Sequence, residues 1–75
     1  MSTTKQYALK RLGPRQVGGT YYTGYWRKNY TVISINWIED DVWEMTCVDE
    51  MGTRTVHCTA WDYRNDRVIN QPGGN

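Results

Sequence analysis

The sequence predicts an all-β fold. Phe is absent, Ala occurs only twice, and both Leu residues precede Gly13. Between Thr20 and Ile69, 25 of 50 positions are Val, Ile, Thr, Tyr or Trp. Such side chains suit a pleated, half-buried sheet, whereas a helical bundle would need the Ala, Leu, Glu and Lys that this chain lacks.

The length of 75 residues predicts one small domain, too small for an enclosed catalytic cleft beside a cofactor site. No apolar run is long enough to span a membrane, and the first residues lack the apolar segment of a signal peptide. We therefore expect a cytoplasmic protein without a cofactor, in which Cys47 and Cys58 are thiols.

The first segment, residues 1–16, has a basic composition. Its charged residues are four cations: Lys5, Lys10, Arg11 and Arg15. One interpretation is a short helix that Thr4 caps and Gly13-Pro14 ends, with a buried face of Tyr7, Ala8 and Leu12. The other is a disordered basic arm, because an isolated helix of about eight residues is marginal in water.

The second segment, residues 17–71, is the predicted β domain. Thr20–Thr23 is a short strand, and Gly24–Asn29 is a loop. The stretch Tyr30–Ile38 is the longest predicted strand, and it is apolar at both odd and even positions. This pattern indicates a strand that is buried on both faces, or one that a β-bulge bends.

A hairpin is predicted next, with strands over Val42–Val48 and Thr53–Thr59. A four-residue loop built on a type I turn would pair residue 48 with residue 53. That pairing places Glu44 opposite His57. It also places one apolar set on the inner face: Trp43, Met45, Cys47, Val56 and Cys58.

One 3₁₀ turn over 60–65 and a last short strand over Asp66–Asn70 complete the domain, followed by a flexible tail over 72–75. This order of elements resembles a five-stranded SH3-like barrel. An OB-type barrel is the alternative, but it usually needs more residues and a helix between its third and fourth strands.

Four stretches carry a family resemblance: residues 19–24 (GTYYTG), 30–32 (YTV), 57–62 (HCTAWD) and 66–68 (DRV). Through them the chain resembles small proteins encoded by bacteriophages and plasmids of actinobacteria. The resemblance covers about two thirds of the chain. It implies a phage-type accessory protein and no particular activity.

Catalytic and metal sites are not predicted. His57 and Cys58 are neighbours on a strand, so their side chains point to opposite faces and do not form a dyad. Two Cys residues eleven positions apart and a single His lack the ligand spacing of a zinc site. The carboxylates lie mostly in runs at turns, which are typically solvated.

An aromatic and basic segment over residues 21–30 is the best candidate for a binding surface. In the SH3-like order, residues 61–64 approach it. The predicted binding residues are Tyr22, Tyr25, Trp26, Arg27, Lys28, Trp61, Tyr63 and Arg64. The alternative is that Trp26 and Tyr63 only close the ends of the barrel.

The charges are segregated along the chain. Residues 1–28 hold six cations and no acid, and residues 39–50 hold six acids and no base. This predicts a non-catalytic module that binds a host or phage protein, and it is also compatible with a homo-oligomer. The alternative is nucleic-acid binding through the aromatic residues and the basic segment, which the net charge of +1 disfavours.

Overall fold

The computed structural model describes residues 3–72, so most of the predicted flexible tail lies outside the described residues. Helix α1 comes first, at Thr3–Leu12, and a 3₁₀ turn lies at Tyr63–Asn65. The five strands are β1 (Thr20–Thr23), β2 (Lys28–Glu39), β3 (Val42–Asp49), β4 (Arg54–Cys58) and β5 (Asp66–Asn70). The predicted all-β fold is confirmed in a coarser form, as a mostly-β chain with one five-stranded sheet and one short helix, and the predicted 3₁₀ turn and last strand are present.

The five strands form one antiparallel sheet in the order β4-β3-β2-β1-β5. The chain meanders from β1 to β4, and β5 then returns to pair with β1. This order places β4 and β5 at the two edges of the sheet. Within residues 3–72, no helix is long and apolar enough to cross a membrane.

The first segment is helical, so the helix interpretation is confirmed. Gly13 adopts the left-handed conformation (φ 65°), and its N–H donates to the carbonyl of Leu9 at 3.0 Å, which is the expected glycine cap. Ala8 and Leu12 are buried in the core, but Tyr7 is 57% exposed. The predicted apolar face of the helix was therefore wrong at Tyr7.

Strand β2 is bent by a bulge, as one of the two interpretations of its pattern proposed. The register shifts between Val32 and Ser34. Before the shift Val32 pairs with Cys47, and after it Ile35 pairs with Met45. The extra residue, Ile33, transfers the inward-facing positions from even to odd numbers, which explains why both are apolar.

The β3–β4 hairpin has a different register from the predicted one. Residue 48 pairs with Arg54 rather than with residue 53, and Met45 pairs with His57. Trp43, Met45 and Cys47 are buried as predicted, but Val56 and Cys58 are exposed. Glu44 lies opposite Cys58, so the predicted pairing of Glu44 with His57 was wrong.

The hairpin loop causes this one-residue shift. The amide N–H of Asp49 donates to the Thr53 carbonyl at 3.0 Å, which leaves three loop residues rather than four. The Asp49 carboxylate accepts the N–H groups of Met51 and Thr53 at 2.9 Å each. Gly52 has a φ of 85°, so the loop is a type I turn followed by a glycine bulge.

Residue 71, the last residue of the predicted β domain, is anchored by two hydrogen bonds. The hydroxyl of the buried Tyr21 donates to Gln71 Oε1 at 2.6 Å. The Gln71 side-chain amide donates to the carbonyl of Pro14 at 2.8 Å. These bonds join the residue after β5 to β1 and to the segment that follows α1.

Candidate functional site

Four rings form a continuous group, which we name the aromatic cluster: Trp26, Tyr30, His57 and Trp61. The centroid of Trp61 lies 5.2 Å from Trp26, 4.8 Å from Tyr30 and 4.2 Å from His57. Trp26 also lies 5.2 Å from His57. Trp26 remains 48% exposed, so the cluster presents a large aromatic side chain to solvent.

The loop between β1 and β2 positions Trp26. The N–H of Arg27 donates to the Thr23 carbonyl at 2.9 Å, and Arg27 has a φ of 56°. At the start of the loop, the Gly24 N–H donates to the carbonyl of Asn65 at 2.9 Å. These bonds hold a tight turn against the segment before β5 and direct Trp26 towards β4.

A buried guanidinium supports Trp61. Arg15 is 2% exposed, and its carbon Cζ lies 4.9 Å from the Trp61 ring and 5.3 Å from the Trp43 ring. Its Nη2 donates to the Trp61 carbonyl at 2.7 Å. Arg11 adds a bond from Nε to the carbonyl of Thr59 at 2.6 Å. Two cations of the first segment thus hold the 59–61 backbone.

Arg15 also faces a buried carboxylate. Its Nη1 lies 4.0 Å from Asp66 Oδ2, and both side chains are fully buried. The Tyr30 hydroxyl donates to the same oxygen at 2.7 Å. Burial and the nearby Asp66 raise the pKa of Tyr30, so its hydroxyl stays protonated and keeps this bond at physiological pH.

Two cavities adjoin the aromatic cluster. The first, of about 360 Å³, is lined by residues that include Trp26, Tyr30, Thr53 and Thr55. Lys28 and Asp49 also line it, with Lys28 Nζ 3.4 Å from Asp49 Oδ2. The second cavity, of about 420 Å³, is lined by Glu44, Val56, His57, Cys58, Ala60 and Trp61.

Of the predicted binding residues, the structure brings Trp26 and Trp61 into contact. Tyr25 is exposed in the same loop. Tyr63 instead packs edge-on against the buried Tyr21, at 6.2 Å, and Arg64 pairs with Asp62 at 3.2 Å.

Tyr22 lies on the opposite face of β1 from Tyr21, where Arg67 covers its ring at 5.1 Å. Sequence reasoning missed His57 and Tyr30 as members of the cluster. The position of His57 depends on the three-residue loop between β3 and β4, because the register that this loop sets places the His57 side chain on the inner face.

His57 and Cys58 do not form a catalytic dyad, because they lie on opposite faces of β4. His57 belongs to the aromatic cluster, whereas the side chain of Cys58 is exposed on the other face of β4. Burial raises the pKa of the Cys47 thiol to about 12, so this thiol is inert at neutral pH. Within residues 3–72, no three His, Cys, Asp or Glu side chains are grouped to hold a metal ion.

The position of His57 predicts a pH-dependent stability. Burial, and then the charge of Arg15, lower the pKa of His57 below its ordinary value of about 6.5. The unfolded chain therefore binds the proton more tightly, and the free energy of unfolding falls as the pH drops from about 7 through the lowered pKa. Denaturant unfolding between pH 5 and 7.5 measures this slope.

A His57→Gln variant provides the control for the pH dependence. It removes the titrating group, so its free energy of unfolding is expected to be flatter over this pH window. Asp49 and Asp62 have lowered pKa values as well, and they act below about pH 5. An identical slope in both proteins between pH 5.5 and 7.5 would contradict the assignment to His57.

Comparison with known proteins finds no matching family model, no matching curated protein and no matching solved structure.

Proposed function

We propose that this chain is a non-catalytic module that binds a segment of a partner protein through the aromatic cluster. One observation carries the proposal: a half-exposed Trp26 stands over a cavity of about 360 Å³. The few residues that dominate the binding energy of protein interfaces are enriched in Trp, and they cluster in pockets of the interface.

The placement of the cations favours a protein partner over a nucleic acid. Arg15 is buried, Arg11 donates to backbone carbonyls, and Lys28 pairs with Asp49. Half of the six cations in residues 1–28 are therefore engaged within the protein. A nucleic-acid surface needs cations that are free to contact phosphates, so the basic first segment is a weaker argument for nucleic-acid binding than the sequence suggests.

We also propose that the sheet curls into an SH3-like barrel. The meander from β1 to β4, the return of β5 to β1 and the 3₁₀ turn before β5 support this architecture. The family resemblance supports a phage-type accessory protein that acts in the cytoplasm of a host.

Replacing Trp26 with alanine is the direct test of this function. Capture of protein from host lysate is expected to fall at least tenfold, because the variant removes the exposed ring. The free energy of unfolding should fall by about 1–3 kcal/mol, since about half of the indole is buried against His57 and Trp61. Quantitative pull-down and denaturant unfolding measure the two effects.

The matched control is Trp37→Ala, which removes an indole of comparable exposure, 38%, near the other end of β2. Its capture should equal that of the wild type. Equal capture by the wild type and the Trp26→Ala protein would overturn the proposal. Capture that nuclease treatment abolishes, and that falls by orders of magnitude between low and physiological salt, would favour the nucleic-acid alternative.

A further inference from the structure

Strand β4 is an open edge of the sheet. Among the described strands it pairs only with β3. Four of its five residues are exposed, including the central Val56 at 57%. Proteins commonly protect such an edge with several charges, a proline or a bulge. In β4 the only charged residue is Arg54, at one end.

The ladder leaves specific backbone groups of β4 unpaired. The bond from the Asp49 N–H to the Thr53 carbonyl marks a hydrogen-bonded pair. Bonded and non-bonded pairs alternate in an antiparallel ladder, so Thr55 and His57 direct their backbone groups to β3. Arg54 and Val56 direct their N–H and C=O groups away from the sheet.

The other edge strand, β5, is less suited to pairing with an additional strand. Its pairing with β1 contains a register shift beside Tyr21, and its first two residues are Asp66 and Arg67. Both bulges and charges disfavour the addition of a further strand. Neither of the two cavities beside the aromatic cluster is lined by a residue of β5.

Both cavities beside the aromatic cluster lie along β4. One is lined by the consecutive residues 56, 57 and 58, whose side chains alternate between the two faces. A cavity with that lining straddles the free edge of the strand. The other contacts Thr53 and Thr55 and is bordered by Trp26. Trp26 lines the first cavity and His57 lines the second, and the centroids of the two rings are 5.2 Å apart.

Opposite charges mark the two ends of this edge. Arg54 is exposed at the start of β4, and the exposed Glu44 lies beside Cys58 at its end. Neither forms an ion pair within residues 3–72. A strand that runs antiparallel to β4 would therefore be matched by a basic residue near Glu44 and an acidic residue near Arg54.

We infer that the β4 edge binds an extended peptide segment of the partner protein as an antiparallel sixth strand. The inference rests on the proposed function and specifies which kind of peptide binds beside the aromatic cluster. The peptide residue opposite Val56 exchanges two backbone hydrogen bonds with it. The residues on either side of that position are apolar and lie along the aromatic cluster. A basic residue precedes this core, and an acidic residue follows it.

The probe is a fluorescent peptide with the core Lys-Leu-Val-Tyr-Glu, and its control is the charge-reversed core Glu-Leu-Val-Tyr-Lys. Fluorescence anisotropy should give at least tenfold weaker binding of the control. The double variant Arg54→Glu with Glu44→Arg should reverse this preference. N-methylation of the central Val should abolish binding, whereas N-methylation of the neighbouring Tyr should be tolerated, because that N–H points away from β4.

On the protein side, Val56→Pro removes only an N–H that faces away from β3, a position where edge strands tolerate proline. We expect binding of the probe to fall at least tenfold, while Val56→Thr stays within about threefold of the wild type. Circular dichroism and the melting temperature verify that both variants fold. If Val56→Pro does not fold, the N-methylated peptides provide the same test on the wild-type protein.

The possible failures are distinguishable. Loss of binding in Trp26→Ala with full binding in Val56→Pro would overturn the edge inference and leave the proposed function standing. Full binding in Trp26→Ala with loss in Val56→Pro would overturn the role of the aromatic cluster. No binding of the probe at millimolar concentration would overturn the inference. A wild-type dimer that Val56→Pro converts to a monomer would also overturn it, by showing that a second copy occupies the edge.

Discussion

Replacing Arg15 with alanine is expected to lower the free energy of unfolding by about 3–5 kcal/mol, the usual cost of breaking a buried ion pair. The variant leaves the fully buried Asp66 carboxylate with the Tyr30 hydroxyl as its hydrogen-bond donor. Removing one partner costs more than the pair contributes, because the remaining charge stays out of water.

The same substitution also removes two hydrogen bonds at the end of α1. Arg15 Nε donates to the Leu12 carbonyl at 2.8 Å, and Nη2 donates to the Arg11 carbonyl at 2.9 Å. These carbonyls belong to the last turn of the helix and have no partner within it. A cation at this end also interacts favourably with the helix dipole.

Denaturant unfolding of Arg15→Lys, of Arg11→Ala, and of Arg15→Ala and Asp66→Asn singly and together tests the role of Arg15. Arg15→Lys should remain strongly destabilised, because one ammonium group does not replace a fork that contacts three carbonyls. Arg11→Ala is the control and should cost only about 1 kcal/mol, since its side chain is partly solvated. The double variant Arg15→Ala with Asp66→Asn should be less destabilised than the sum of the single variants. Additive losses would contradict a coupled buried pair.

Arg15 also links stability to the binding site. Its guanidinium packs between Trp43 and Trp61 and holds the Trp61 carbonyl. A variant that still folds should therefore bind its partner more weakly than the wild type, although Arg15 is not exposed.

The strands could be predicted from the sequence because the alternation of apolar and polar residues within each strand determines which side chains share a face. Alternation places Trp43, Met45 and Cys47 on one face whatever lies beyond β3. The register of β4 depends instead on one hydrogen bond at the loop, Asp49 N–H to the Thr53 carbonyl. A three-residue and a four-residue loop both suit Asp-Glu-Met-Gly, and the apolar Val56 and Cys58 favoured the wrong one.

The role of Arg15 was not predictable from local pattern. A cation in a basic segment is normally solvated, and its burial here depends on Asp66, Trp43 and Trp61, which are distant in the sequence. The charge of the first segment consequently overstated the basic surface of the protein. The aromatic residues of the β1–β2 loop were a better guide, because loop residues with large rings cannot all be buried.

Replacing Trp43 with alanine is expected to cost about 3–5 kcal/mol, as for other buried aromatic residues. Trp43 is fully buried and is the largest side chain of a core that also contains Ala8 and Leu12 of α1. Its removal opens a cavity between the sheet and the helix, and it deprives the Arg15 guanidinium of one of its aromatic faces.

Trp43→Phe separates packing from hydrogen bonding. The indole Nε1 donates to the Ala8 carbonyl at 2.9 Å and so ties the middle of α1 to β3. Phe keeps most of the buried ring but loses this bond, so its cost should be about 1–2 kcal/mol. Denaturant unfolding measures both values, and amide exchange along α1 reports local release of the helix.

The exchange pattern distinguishes a tethered helix from an independent one. In Trp43→Phe, the amides of α1 should lose more protection than those of β2, because the lost bond reaches only the helix. An isolated helix of ten residues is marginal in water, so its protection depends on this contact with the sheet. Equal loss of protection in α1 and β2 would show that the indole stabilises the domain only as a whole.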